Sequence, residues 1–112
     1  MSQYLKAVTP ATVRGIIQLA QQRRTALDAE DGIYPKPKFQ ALYDHLLSLT
    51  NAQKNELMAL MWLGRGTAGE SPEMWSDLIY LAEEDPEEGK ADYLSIAHLG
   101  TYLIDGLMRL GE

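Results

Sequence analysis

The chain has 112 residues, ten of them lysine or arginine and sixteen aspartate or glutamate, giving a formal net charge of −6 with no cysteine. Disulfides, thiolate zinc sites and cysteine nucleophiles are excluded, and the length predicts one helical domain over residues 1–112 that buries roughly two-thirds of its unfolded surface. The opening residues lack a signal-peptide run, and no apolar run reaches the ~20 residues that span a bilayer, so a cytoplasmic protein with no membrane partner is expected.

Thr9-Pro10 reads as an N-cap followed by proline at the first helical position. Val13, Ile16, Ile17 and Ala20 then repeat at the i, i+3, i+4, i+7 spacing of one helix face, which predicts a helix from Pro10 to Leu27. Residues 28–37 read as a loop, because Pro35 and Pro37 flank Lys36 and favour an extended path. Phe39, Leu42, Tyr43 and Leu46 form the stripe of a second helix ending near Leu49.

Thr50 and Gln53 fit a capping box, in which each side chain bonds the other residue's backbone N–H. They introduce the most apolar segment, Leu57-Met58-Ala59-Leu60-Met61-Trp62-Leu63. Seven consecutive residues without a charge leave no wet face, so this helix is expected to be central and wrapped by protein on all sides. Gly64 is placed to end it in a left-handed conformation.

Ser71-Pro72 repeats the cap-plus-proline start, and Met74, Trp75, Leu78, Ile79 and Ala82 make a fourth stripe that Asp85-Pro86 ends. The pattern resumes at Lys90 with Tyr93, Leu94 and Ala97, then continues through Leu99, Tyr102, Leu103, Gly106, Leu107 and Leu110. Gly100 either kinks this stretch into two helices or is tolerated within one. Strand alternation is missing throughout. The predicted fold is an all-α bundle of five or six helices around the segment at 51–63.

Charge is uneven along the chain. Residues 1–65 hold eight basic and five acidic residues, and residues 66–112 hold two basic and eleven acidic ones. The basic start (Lys6, Arg14, Arg23, Arg24) is a weak field for a polyanion beside so acidic a half, which makes nucleic acid a minor alternative. Attraction between the halves, or between copies, accounts for the pattern more simply.

Most motifs that suggest chemistry fail a physical check. Residues 64–71 have the glycine frame of a phosphate loop, but Glu70 stands where the lysine belongs and the segment follows a helix rather than a strand. His45 and His98 have no partner at metal-ligand spacing, so no metal is expected. The acids of 28–32 and 83–88 do not match a calcium loop; the second run suits a solvated loop or a docking surface for a basic partner. Ser48, Ser76 and Ser95 lack a nucleophile elbow or a nearby base. Tyr43, Tyr80, Tyr93 and Tyr102 read as core-edge packing and Met58, Met61 and Met74 as core filler. No catalytic residue and no cofactor is predicted.

One constellation survives. Arg65 lies between two glycines near the donor-rich start of the fourth helix, with Trp62 and Trp75 as candidate flanks, so Trp62, Gly64, Arg65 and Trp75 form a candidate site for a small anionic ligand. The competing role for Arg65 is structural, paired with Glu70, Glu73 or Asp77.

The block from Met58 to Gly66, then Trp75, Tyr93-Leu94 and the stretch from Leu99 to Leu107, resembles a family of small bacterial proteins described only as a domain of unknown function. The resemblance runs from the first helix onward and is most specific at Trp62–Gly66. It implies a bacterial cytoplasmic helical domain and brings no activity or site residue with it. The leading functional expectation is therefore a non-catalytic protein-interaction module. Homodimerisation is expected through an apolar strip of Leu99, Leu103, Leu107 and Leu110 on the last helix, beside Tyr102.

Overall fold

A computed structural model describes residues 4–29, 36–66, 71–94 and 99–111, with side chains described except at 22–29, 36–41 and Asp92. Within these residues the chain forms six α-helices and no strand: α1 (Pro10–Ala29), α2 (Lys36–Ser48), α3 (Asn51–Arg65), α4 (Trp75–Glu84), α5 (Lys90–Leu94) and α6 (Leu99–Leu110). Helix α3 packs against α4, α5 and α6, while α1 packs against α2 and α6. The all-α bundle with α3 at its centre is as the apolar patterning predicts.

Local chemistry starts and stops these helices. Thr9 caps α1, its Oγ1 accepting from the Thr12 N–H at 3.1 Å. The capping box of α3 is complete: the Gln53 N–H donates to Thr50 Oγ1 at 3.1 Å, and the Thr50 N–H donates to Gln53 Oε1 at 2.9 Å. Asp85 ends α4 in an extended conformation, as the following proline requires.

Several expectations need correction. Helix α2 begins at Lys36, inside the predicted loop, because Pro37 lies in the first turn, where its missing N–H has no intrahelical role. Ser71 makes no side-chain cap, and a single 3-10 turn, Pro72–Met74, leads into α4 instead. Gly100 is the second residue of α6 and is buried against α1. A Cβ at this position would lie 3.4 Å from Ala20 Cβ, an ordinary contact, so of the two readings of Gly100 the one in which a helix tolerates it holds. Of the predicted loop, residues 30–35 lie outside the described ones, as do Ser95 and His98.

A further correction concerns the end of α3. Gly64 does not terminate the helix; the helix runs on to Arg65, and Gly66 takes the left-handed cap with φ 64° and ψ 16°, its N–H donating to the Trp62 carbonyl at 3.0 Å. Gly64 serves packing. A Cβ there would overlap the Tyr102 carbonyl oxygen and stand 2.7 Å from Gly106 N, and one on Gly106 would overlap the Leu60 carbonyl oxygen. Two glycines thus bring α3 and α6 together backbone to backbone. Gly66→Ala is expected to lose about 1 kcal/mol in urea unfolding, since alanine adopts the left-handed region with strain, with Gly66→Asn losing less.

In the apolar run, Leu57, Met58, Ala59, Leu60, Met61 and Leu63 are all fully inaccessible. Trp62 is the exception and is half-buried. The four leucines of α6, expected as an exposed strip, are instead all buried (Leu110, the most open, at 9%), packed in the common core with α1 and α3. They leave no strip for a second copy to cover. No described helix is long and apolar enough to cross a membrane.

Candidate functional site

Helix α3 carries three buried polar side chains, Lys54, Asn55 and Glu56, and α5 contributes a fourth, Lys90. Burying a charge is tolerated only where partners replace water. Glu56 has them: its two carboxylate oxygens accept from the backbone N–H groups of Lys6, Ala7 and Val8, all at 2.9 Å. Gln53 Nε2 donates to the Ala7 carbonyl at 3.4 Å, and Trp75 Nε1 donates to the Tyr4 carbonyl at 3.1 Å. Residues 4–8, which have no helical hydrogen bonds of their own, are thereby strapped onto α3 and α4, with Leu5 and Val8 buried beneath.

Lys90 is 1% exposed. Its Nζ donates to Asn51 Oδ1 at 2.8 Å and also to Asn55 Oδ1, two acceptors one helical turn apart on α3. Lys54 Nζ lies 3.6 Å from the exposed Glu87 carboxylate. These groups hold α3, α5 and the strap in register. Nothing in the sequence pattern pointed to them, because Lys54, Asn55 and Glu56 precede the apolar run that begins at Leu57. Asn55 and Glu56 also line a cleft between the strap and α4. Among the described residues no three histidine, aspartate or glutamate side chains come together as a metal-holding group.

The candidate anion site separates into three places. Trp62 and Arg65 share a shallow groove of about 320 Å³ with Leu78, Leu81 and Asp85. Arg65 is exposed at the last residue of α3. Gly64 is buried against α6 and offers no surface. Trp75 lines a different cleft, about 620 Å³, with Tyr4, Lys6, Glu56, Glu73 and Glu83 among its walls. Trp75 is itself largely buried there, edge-on to Tyr4 with ring centroids 6.1 Å apart. Carboxylates border both cavities, and Asp85 in the Arg65 groove opposes a bound anion.

The outer face of α4 is the other feature that patterning did not foresee. Asp77, Tyr80, Leu81 and Glu84, at i, i+3, i+4 and i+7, are all exposed, with Tyr80 at 62% and Leu81 at 54%. The expectation of core-edge packing for Tyr80 is therefore corrected. Tyr80 stands in solvent, because the stripe through Trp75, Leu78 and Ala82 is the one that turns to α3, while Tyr93 is 40% exposed and packs against Trp62. Leu81 borders the groove of Trp62. Trp62 Nε1 in turn donates to Tyr93 Oη at 2.7 Å, with the rings edge to face at 6.3 Å. Leu81 and Trp62 thus share one groove, Tyr93 adjoins Trp62, and Tyr80 is exposed beside Leu81 on α4, an open apolar surface across α3, α4 and α5. The signal was present in the sequence as a second 3.6-residue repeat on the opposite side of α4, apolar at its centre and acidic at both ends.

Fold and surface together define a small helical domain with a polar-braced core and an open aromatic patch. The family model described as a protein of unknown function (DUF3775) matches residues 40–111, and the chain belongs to that family. The match starts within α2, so it covers α3 to α6 and leaves α1 outside, where the resemblance read from the residues extended to the first helix. Neither the curated proteins nor the solved structures contain a match.

Proposed function

We propose that this domain is a non-catalytic protein-interaction module of a bacterial cytoplasm, and that its working surface is the patch of Tyr80, Leu81, Trp62 and Tyr93. The exposure of Tyr80 and Leu81 side by side on one helix face carries the reading. A single exposed apolar side chain needs no explanation, whereas a contiguous patch rimmed by polar groups marks an interaction surface. The buried polar groups support the same reading from the other direction. Glu56, Lys90 and Lys54 are each taken up in bracing the fold.

The test is affinity capture from the cells that make the protein, using the wild type and a Tyr80→Ser/Leu81→Ser variant in parallel. Both positions face solvent, so the variant should unfold within about 0.5 kcal/mol of the wild type. A partner retained by the wild type and lost by the folded variant is the expected outcome. Equal retention by both proteins would move the working surface elsewhere.

A further inference from the structure

The charge around the patch says what kind of partner it suits. Residues 66–89 contain no lysine or arginine. In the same stretch Glu73, Asp77, Glu83, Glu84, Asp85 and Glu88 are exposed. Asp77 stands one turn before the Tyr80–Leu81 pair and Glu84 one turn after it, so the apolar centre of α4 has a carboxylate at each end. Asp85 lines the adjoining groove, where Arg65 is the one cation among the lining residues. The surface is apolar in the middle and anionic around it.

We propose that this surface docks a short basic amphipathic segment of another protein. Apolar side chains of that segment cover Tyr80, Leu81 and the open edge of Trp62, while its lysines or arginines meet Asp77, Glu84 and Asp85. This is the helix-in-groove arrangement, in which apolar anchors at i and i+3 or i+4 supply contact and flanking charges supply orientation and sign preference. The inference rests on the interaction-module reading and adds the chemistry of the partner.

Other occupants fit the surface less well. The exposed described face of α1 in a second copy presents Ala11, Arg14, Gly15, Gln18 and Gln21. It offers one cation and no large apolar side chain to cover the patch. A nucleic acid or an anionic membrane surface meets the carboxylates with the wrong sign.

The experiment is an amide-shift titration of the full chain by NMR with three short synthetic peptides: an amphipathic leucine–lysine helix, its leucine–glutamate counterpart, and a lysine–serine peptide of equal positive charge. The leucine–lysine peptide should shift the amides of 77–84 and the Trp62 indole, with a dissociation constant on the order of 100 μM, as suits a short peptide on a few exposed side chains. The lysine–serine peptide should bind at least about tenfold more weakly and the leucine–glutamate peptide not at all. Tyr80→Ser/Leu81→Ser and, separately, Asp77→Lys/Glu84→Lys should each lower the affinity of the leucine–lysine peptide by about tenfold or more.

Equal binding of the lysine–serine peptide would reduce the effect to diffuse charge and overturn the docking site. Shifts centred on Tyr4 and Trp75 would overturn it in favour of the other cleft. Broadening of the same amides with protein concentration alone would make the occupant a second copy. Equal binding of the leucine–glutamate peptide would remove the basic partner while leaving the interaction module intact. The module itself stands or falls on the capture experiment.

Discussion

Gly64→Ala is expected to lower the melting temperature by more than about 10 °C, or to prevent folding. Added to an exposed helix interior, the same methyl group stabilises by up to about 1 kcal/mol, because alanine loses less backbone entropy than glycine. At Gly64 it meets the backbone of α6 instead, at the Tyr102 carbonyl and at Gly106 N. Neither is the flexible end of a side chain, so both helices must separate along their closest line of contact. Overpacking of this kind typically costs about 1–3 kcal/mol and more where backbone has to move, and each kcal/mol is worth roughly 4 °C or more in a domain of this size. Gly106→Ala should behave alike, since its Cβ meets the backbone of Leu60. Gly15→Ala is the internal control. Gly15 is on α1, and a Cβ there would meet nothing within 4 Å, so stabilisation of about 0.5–1 kcal/mol is expected. Thermal unfolding followed by circular dichroism checks all three, and a Gly64→Ala protein as stable as the wild type would show that α3 and α6 do not touch at this point.

Glu56→Ala is expected to release residues 4–8 while leaving the helices assembled. The carboxylate is the shared acceptor for three consecutive N–H groups, and hydrogen bonds to a charged group contribute about 1.5–3 kcal/mol each. Once they are gone, two responses compete. Keeping the strap in place leaves several donors unpaired at about 1–3 kcal/mol each. Letting it peel away gives up the burial of Leu5 and Val8, about 1.5–3 kcal/mol apiece. Peeling also returns about 1–2 kcal/mol of backbone entropy per freed residue, so peeling wins. Hydrogen exchange should then show the amides of 6–8 losing nearly all protection while those of 57–63 keep theirs, with a global loss of about 2–3 kcal/mol. Tryptophan emission should shift to longer wavelength as the Trp75 indole loses the Tyr4 carbonyl. Unchanged protection at 6–8 would contradict the strap.

What could be read from the residues alone divides by the range of the interactions involved. The start of α1 and the Thr50–Gln53 box are contained within a few residues, and the apolar period of α3 is long enough to declare itself central. Apart from the starts of α2 and α4, the misreadings arise where a distant segment decides. Gly64 looks like a terminator, and only the approach of Tyr102 and Gly106, some forty residues away in sequence, assigns it to packing and leaves the cap to Gly66. Leu99, Leu103, Leu107 and Leu110 look like surplus apolar area until α1 and α3 close over them. Glu56 gives no local sign of its role, because its partners are backbone groups 48 to 50 positions away. Trp62 and Trp75 appear to flank one arginine, yet face separate cavities.

On the proposed reading, the apolar, acid-rimmed face of α4 is where this domain meets another protein, while the Tyr4–Trp75 cleft is part of its bracing. A photo-crosslinking residue placed at Leu81, and in a second protein at Ser76 on the wall of that cleft, separates the two directly in living cells. Adducts to a distinct protein from position 81, with none from position 76, are the predicted result. Adducts from 76 with none from 81 would contradict it.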